Sequence, residues 1–244
     1  MTSSRPGRTS SARAEAAGLA ALASLVADET RAGFLLALLD GRAWTAGELA
    51  RHAGVAASTA SEHLGKLVAG GLLAEERQGR HRYVRLADAR VAQLVEDLAA
   101  QVAPTAAVRP RTLREAGAGS AMARGRTCYD HLAGRLGIAV TDALTGLGLL
   151  RQDTGFALTD EGVRWFDGLG VPLVRTGRRP IARACLDWTE RRPHLAGVAG
   201  AALCRHALDT GWCVRIGSER AVKVTAEGER ALSELLGIQP ETLH

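Results

Sequence analysis

Long apolar runs are missing from this chain of 244 residues, which excludes a membrane-spanning helix. Its four cysteines do not form the framework of a small secreted domain, so reduced thiols and a cytoplasmic setting are expected. No Gly-rich phosphate loop or oxyanion-type turn stands beside a Cys/His pair. No catalytic constellation is therefore assembled, and an enzyme is not expected. Lysine is also scarce: nearly all the cations behind the net charge of +5 and the pI of about 9.5 are arginines. That balance favours an anionic partner. In a chain so rich in Ala, Gly and Arg, the clustering of the arginines says more than their total.

Residues 45–86 hold the densest signal. Thr45-x-x-Glu48 is a capping box, so a helix starts at Thr45 and buries Leu49. Gly54 supplies the positive φ of a tight inter-helix turn. A second helix follows from about Ala57, with Leu64, Leu67 and Val68 on one face at spacings of three and four. Its other face carries Ser58, Thr59, Ser61, Glu62, His63 and Lys66, short or polar side chains suited to base edges in a major groove. Leu72 and Leu73 then open a hairpin whose tip gathers Arg77, Gln78, Arg80, His81 and Arg82 around Gly79. Two helices followed by a cationic hairpin make a winged helix-turn-helix, and its partner is double-stranded DNA.

The block from about Ala14 to Leu98 resembles the ArsR/SmtB family of winged-helix repressors. The resemblance rests on Val26-Ala27-Asp28-Glu29-Thr30-Arg31, Leu35-Leu36-Ala37-Leu38-Leu39, Ser58-Thr59-x-Ser61-x-His63-Leu64 and the wing from Gln78 to Leu86. It implies that the second helix reads bases and that the wing touches backbone or minor groove. It also implies that the first and last helices pair across a two-fold axis. Relatives often place Ser where this chain has Ala56, and Thr59-x-x-Glu62 offers an alternative cap for a slightly shorter helix.

The family's usual metal sites do not carry over. Arsenic and cadmium sensors often have Cys-x-Cys on the helix before the recognition helix, where this chain has Glu48-Leu49-Ala50-Arg51. Cadmium- and lead-responsive relatives place cysteines in the recognition helix, where Lys66 and Gly70 stand here. Zinc sensors use Asp and His on the last helix, and residues 88–103 contain no histidine. Metal sensing therefore needs a new site in the C-terminal half.

The N-terminal stretch imitates a signal peptide, with a basic start, an apolar middle and small residues. Glu15 and the directly following Asp28-x-Thr30-Arg31 favour another reading: a flexible tail, residues 1–13, entering an amphipathic helix that carries Leu19, Leu22 and Val26. After the wing, Asp88 can cap a helix whose apolar stripe is Val91, Leu94, Val95, Leu98 and Val102. A symmetric partner would bury that stripe and suit an inverted-repeat operator, so a homodimer is expected. Residues 104–118, with Pro104, Pro110 and Gly117, read as a linker.

The second half contains an internal repeat. Cys128-Tyr-Asp130-His131-Leu132-Ala133-Gly134 is echoed by Cys185-Leu-Asp187-Trp188 and, after an insert over 189–194, by Leu195-Ala196-Gly197. Leu158-Thr159-Asp-Glu-Gly162 answers Val224-Thr225-Ala-Glu-Gly228, with Thr159 and Thr225 as N-caps. Each copy is expected to run helix, helix, strand pair, helix. Their second helices, 138–147 and 194–208, are dominated by Ala, Leu and Val and lack a base-reading face, so the domain is regulatory or oligomerising rather than DNA-binding.

Chemistry gathers at the repeat heads. Cys128 and His131 stand three apart, which on a helix is one face. Cys185, Asp187, Trp188 and His194 occupy the matching stretch, and pseudo-symmetric packing would bring both groups to one pocket. Two readings stay open. One is a sensor: a metal ion on thiolate and imidazole, a redox thiol pair, or a small-molecule effector against Tyr129 and Trp188. The other is structural, with buried cysteines and with Asp130 and Asp187 capping or pairing with Arg191 and Arg192. Cys204 and Cys213 read as core.

The expected fold is mainly α with small β-wings (α+β): a tail at 1–13, a winged helix with dimerisation helices at 14–103, a linker at 104–118 and the repeat domain at 119–244. The expected function is sequence-specific transcriptional regulation, as a repressor released by an effector sensed in the repeat domain. The alternatives are a metal- or thiol-responsive regulator using Cys128, His131, Cys185 and His194, or a constitutive DNA-binding protein whose C-terminal half is structural. No cofactor is certain from the sequence.

Overall fold

The computed structural model describes residues 7–78, 81–102, 113–153, 155–175, 179–217 and 220–243. The chain divides into two compact units, Met1–Leu39 with Ala43–Asp88, and Asp40–Arg42 with Ala89–His244. No helix among the described residues is long and apolar enough to cross a membrane.

In the first unit, α1 (Gly7–Val26) and α2 (Glu29–Ala37) lead through β1 (Trp44–Thr45) into α3 (Ala46–Ala53) and α4 (Ala57–Ala69). The strands β2 (Leu73–Gln78) and β3 (His81–Leu86) form an antiparallel hairpin, and β1 adds to β3, giving the order β1-β3-β2. Local chemistry sets these boundaries. Asp28 caps α2 by accepting from Arg31 N. Thr45 and Glu48 complete the capping box of α3, and Gly54 closes that helix at φ 70°. Leu49, Ala60, Leu64 and Leu67 are buried, so α3 and α4 turn one apolar stripe inward as their periodicity requires.

Two expectations shift here. Helix α1 begins at Gly7, inside the stretch read as a tail, and Leu19 of its apolar stripe is exposed. Helix α4 starts at Ala57 behind Ala56, with no side-chain cap, so the shorter helix capped by Thr59 does not form.

The second unit opens with α5 (Ala89–Gln101) and α6 (Leu113–Arg124). Of the expected linker, residues up to 112 lie outside the described residues, and 113–118 begin α6. On α5 the buried residues are Ala92, Val95, Glu96 and Ala100, whereas Leu98 and Val102 of the expected stripe are exposed. The repeat then follows twice. The first copy is β4 (Arg126–Cys128), β5 (His131–Ala133), α7 (Gly134–Gly146), β6 (Leu150–Arg151), β7 (Ala157–Leu158) and α8 (Asp160–Gly168). The second is β8 (Arg183–Leu186), β9 (Pro193–Ala196), α9 (Gly197–Asp209), β10 (Cys213–Arg215), β11 (Val222–Val224) and α10 (Ala226–Leu236).

Each copy therefore opens on a β-hairpin, where the sequence suggested a helix, and His194 lies in a strand. Thr159 and Thr225 do cap α8 and α10. One continuous core joins the copies, with Leu136, Leu144, Leu150 and Phe166 from the first against Leu195, Leu203, Trp212 and Leu232 from the second. The helices are exchanged: α7 packs on β9 and α9 packs on β5. Two equivalent glycines let each helix lie close to its own hairpin as well as to the other copy's. A Cβ on Gly137 would meet Leu132 O at 2.5 Å, and one on Gly200 would meet Leu195 O at 2.5 Å and His131 Cβ at 3.2 Å. Exchange of the helices draws the two hairpins together.

Candidate functional site

Two separate sites emerge, one in each unit. In the first unit, Ser58, Ser61, Glu62 and Lys66 of α4 are exposed, opposite the buried Ala60, Leu64 and Leu67. Thr59 is half-buried on the flank. Glu62 and Lys66 form an exposed i,i+4 pair at 2.7 Å, and Ser61 Oγ donates to Ala57 O. His63 turns towards α2, with Nδ1 3.5 Å from Asp28 Oδ1 and 3.4 Å from Arg31 Nη1. It braces two helices, unlike its exposed neighbours. On the wing, Arg77 is 80% exposed and 3.6 Å from Glu75, while Arg82 pairs with Glu75 at 2.6 Å. Gln78 and His81 form the last rung of the β2–β3 ladder, and Arg80 lies outside the described residues.

In the second unit, Cys128 stands directly across the β4–β5 hairpin from His131, and Cys185 directly across β8–β9 from His194. The shared face is thus a rung of a hairpin, not a turn of a helix. Strand register also moves the insert of the second copy one residue earlier, to 188–193, so that His194 matches His131. Tyr129 and Asp130 form the tight first turn, with Tyr129 at φ 57° and 41% exposed. The hairpins converge on one interior point: the ligand-type atoms of Cys128, His131, Cys185 and His194 lie within 4.8 Å of one another, and all four residues are buried. The two Sγ atoms are 3.9 Å apart, and the imidazole centroids 5.0 Å.

Each imidazole faces the aspartate of its own repeat. His131 Nδ1 lies 3.3 Å from Asp130 Oδ1, and Arg179 grips Asp130 with bonds of 2.6 and 2.8 Å. Burial works against ionisation of Asp130, but the His131 ring and Arg179 hold it down at about 2. His194 Nδ1 lies 3.3 Å from Asp187 Oδ2, off the hydrogen-bonding line. Asp187 is locked by Gly134 N, Thr189 N, Glu190 N and Arg126 Nη2, and despite burial these groups and His194 keep it well below the usual carboxylate range. Among the described residues, His131 Nε2 and both ring nitrogens of His194 have no hydrogen-bond partner. Such orphaned buried nitrogens are uncommon, and each costs about 1–3 kcal/mol.

Several participants escaped the sequence reading. Glu96 of α5 is 1% exposed and accepts from Cys128 Sγ (2.9 Å), Arg126 Nε (3.2 Å), Trp188 Nε1 (2.9 Å) and Arg220 Nη2 (2.5 Å). Gln93, one turn earlier, reaches both sulfurs. Arg126, wholly buried, joins Glu96 to Asp187 and lies 5.2 Å from the Trp188 ring centroid. Asp130 and Asp187 thus pair with Arg179 and Arg126. The expected Arg191 instead donates to the Ala99 and Ala100 carbonyls at the end of α5, and Arg192 pairs with Asp142. Cys128 is pushed up by its bond to Cys185, by burial and by the Glu96 carboxylate. Cys185 is pulled far below an ordinary thiol by the same bond and by the two imidazoles. Cys204 and Cys213 sit in the apolar core, as expected.

Comparison with known proteins agrees with the first unit's architecture. A helix-turn-helix domain family matches residues 26–76. The chain is 41% identical over 224 residues to the uncharacterized HTH-type transcriptional regulator YdfF of Bacillus subtilis, covering 91% of this chain and 98% of that one. It is 36% identical over 104 residues to the HTH-type transcriptional regulator CmtR of Mycobacterium tuberculosis, covering 43% of this chain and 87% of the relative. Among solved structures it is similar to HlyU from Vibrio cholerae in its reduced form, at 26% identity and a TM-score of 0.34, covering 36% of this chain and 92% of that one. The chain belongs to the winged helix-turn-helix transcriptional regulators of the ArsR/SmtB family, with an added C-terminal domain.

Proposed function

We propose that this DNA-binding regulator is a cytoplasmic, homodimeric repressor that reads an inverted-repeat operator and is released by an effector sensed in its C-terminal half. Residues 14–103 serve DNA binding and dimerisation in this reading, and 119–244 serve regulation. The observation that carries it is the sorting of α4. Its large apolar residues point inward, while Ser58, Ser61, Glu62 and Lys66 face outward and Arg77 projects from the adjacent wing. Hydroxyl and amine groups on an exposed helix face are the usual readers of major-groove edges, and an exposed cation beside them suits phosphate. Exposed Leu19, Leu98 and Val102 support pairing, because a two-fold partner removes such side chains from water.

Sequencing genomic fragments that the full chain retains tests the reading. Enriched inverted repeats, with half-sites about one helical turn apart or a multiple of it, support a dimeric operator reader. Retention of fragments without a shared sequence would contradict it. Sedimentation of the protein with and without one such fragment then reports whether two chains bind per site.

A further inference from the structure

We propose that Cys128, His131, Cys185 and His194 bind one divalent metal ion of the zinc class, and that this ion controls operator binding by taking Cys128 away from Glu96. The inference rests on the reading of the C-terminal half as the responsive domain and names its ligand.

Four observations point the same way. Each repeat contributes one thiol and one imidazole from opposed rungs of a hairpin, so two copies supply a complete S2N2 set. Such a set suits a tetrahedral ion of borderline softness and not calcium or magnesium, which prefer oxygen. The sulfur separation of 3.9 Å matches the edge of the tetrahedron. Zinc–sulfur bonds of about 2.3 Å place two sulfurs about 3.8 Å apart. Each ring has a buried Nε2 with no hydrogen-bond partner, and the ligand-type atoms of both imidazoles lie within 4.8 Å of those of the two thiols, so a metal ion would engage one nitrogen on each ring. Finally, each imidazole has a carboxylate at its Nδ1, Asp130 or Asp187, and each carboxylate is held by an arginine. Metal-binding histidines are oriented by this kind of outer partner.

A disulfide explains less. It would require the sulfurs to close to about 2.05 Å and would leave the imidazole nitrogens without partners. Four protein ligands also fill a tetrahedral ion, so it has no open position for a substrate and is not catalytic.

The second part follows from Glu96. Cys128 Sγ donates to Glu96 Oε2 at 2.9 Å and lies 3.1 Å from Gln93 Oε1, both on α5. When a sulfur–metal bond forms, a thiol that still carries its proton releases it to solvent. Cys128 then offers Glu96 no donor, and the 2.9 Å contact between them loses its hydrogen bond. The carboxylate must withdraw towards Arg126, Trp188 and Arg220, its remaining partners, and α5 must readjust with it. Only Ala87 and Asp88 separate α5 from the wing strand β3 in the chain, so this readjustment has the shortest covalent route to the DNA-binding unit.

The test uses the full chain, reduced and stripped by a chelator, titrated with cobalt(II) as a spectroscopic stand-in and then with zinc(II). Operator affinity is followed in parallel on a fragment selected as above. We expect one cobalt per chain, with thiolate-to-cobalt charge transfer and the intense visible bands of a tetrahedral ion, both abolished by zinc. Cys185→Ala should roughly halve the charge-transfer intensity by removing one of two sulfurs. Asp130→Asn should weaken metal affinity about 10–100-fold. Zinc should weaken operator binding of the parent chain about 5–150-fold. Glu96→Gln should keep the cobalt spectrum and lose that response.

A chain that binds operator yet takes up no cobalt, or takes it up without sulfur charge transfer, overturns the metal site. So does release from the operator by an oxidant with formation of a Cys128–Cys185 disulfide while zinc does nothing. An undiminished zinc response in metal-binding Glu96→Gln overturns the coupling. Failure of the parent chain to bind any selected fragment would strike at the regulator reading instead.

Discussion

Cys128 and Glu96, 32 residues apart in the chain, meet at 2.9 Å between Sγ and Oε2 inside the repeat domain. The bond is one side of a buried polar assembly whose centre is Arg126. That guanidinium satisfies Glu96, Asp187, the Met122 carbonyl and Thr189 Oγ1 together. Only a planar group with five N–H donors can do this from one position. A buried ion network of this sort adds little net stability when whole and is costly to break, because the survivors remain charged and dry.

Arg126→Met is therefore expected to destabilise the repeat domain by about 3–5 kcal/mol. Two carboxylates would keep their charges without their shared cation. Urea unfolding of the full chain, followed by tryptophan fluorescence, reads this domain through Trp165, Trp188 and Trp212. A loss no larger than that of an exposed arginine would mean that water reaches the network.

The helix boundary at Thr45 gives a smaller effect in the first unit. Thr45 Oγ1 accepts from Glu48 N, and Glu48 Oε2 accepts from Thr45 N at 2.8 Å, so two backbone donors are satisfied reciprocally. Thr45→Ala removes one side of the box and should cost about 1 kcal/mol. Thr45→Ser should retain most of it. Thermal melts of the three proteins decide the matter, and equal losses for Ala and Ser would point to the lost methyl group instead of the cap.

Acid should act on this unit through Asp28. The Arg31 backbone N–H, helped by the nearby Arg31 and Lys66 side chains, lowers its pKa against the opposing effect of burial. A carboxyl depressed in the folded state contributes stability above its unfolded pKa and loses that contribution as pH falls through the folded one. The contribution should therefore be intact at neutral pH and fade below about pH 4. The substitution Asp28→Asn keeps a capping oxygen and removes the charge. The gap between parent and variant should accordingly be full at pH 7 and narrow steadily as pH falls below about 4. A constant gap across this range would show that charge plays no part.

The first unit was legible because its determinants are local. The capping box, the positive φ of Gly54 and the three-and-four spacing of α4 each act within a few residues, and each was found in place. The repeat was legible too, since Cys-x-Asp and Leu-Ala-Gly recur in register. The form of its heads was not. A spacing of three fits a helix face as well as a two-residue hairpin, and Tyr129-Asp130 lacks the glycine or asparagine that usually marks such a turn. Glu96 and Arg126 escaped because charged residues read as solvated by default. They are buried only because partners as distant as Arg220 reach them, 124 residues from Glu96. On α5 the inward face belongs to Ala92, Val95, Glu96 and Ala100, which leaves Leu98 and Val102 of the apolar stripe exposed, and the stripe alone does not reveal that division.

Thiol chemistry should separate the cysteines by environment. Burial among apolar groups pushes Cys204 and Cys213 up to about 12. Since the thiolate is the reactive species, neither should alkylate in the native chain at pH 8, whereas both should label after denaturation. Peptide mass spectrometry after timed iodoacetamide exposure reads each site separately. Rapid native labelling of Cys213 would place β10 in contact with solvent and contradict its burial.

The DNA surface yields the last test, which contrasts two kinds of contact. Arg77 is largely exposed on the wing, and a phosphate neutralised by it would release counterions whatever the base sequence. Arg77→Ala should weaken binding to selected and random fragments alike and flatten the dependence on salt by about one unit of slope. Arg82 already pairs with Glu75, so Arg82→Ala should have the smaller effect of the two. Ser58, exposed near the start of α4, is placed to read a base edge. Ser58→Ala should cost about 1–3 kcal/mol on a selected fragment while leaving random DNA and the salt slope nearly unchanged. Fluorescence anisotropy at several salt concentrations separates these patterns. If Ser58→Ala instead lowered affinity equally for both fragments, α4 would be holding the backbone and sequence would be read elsewhere.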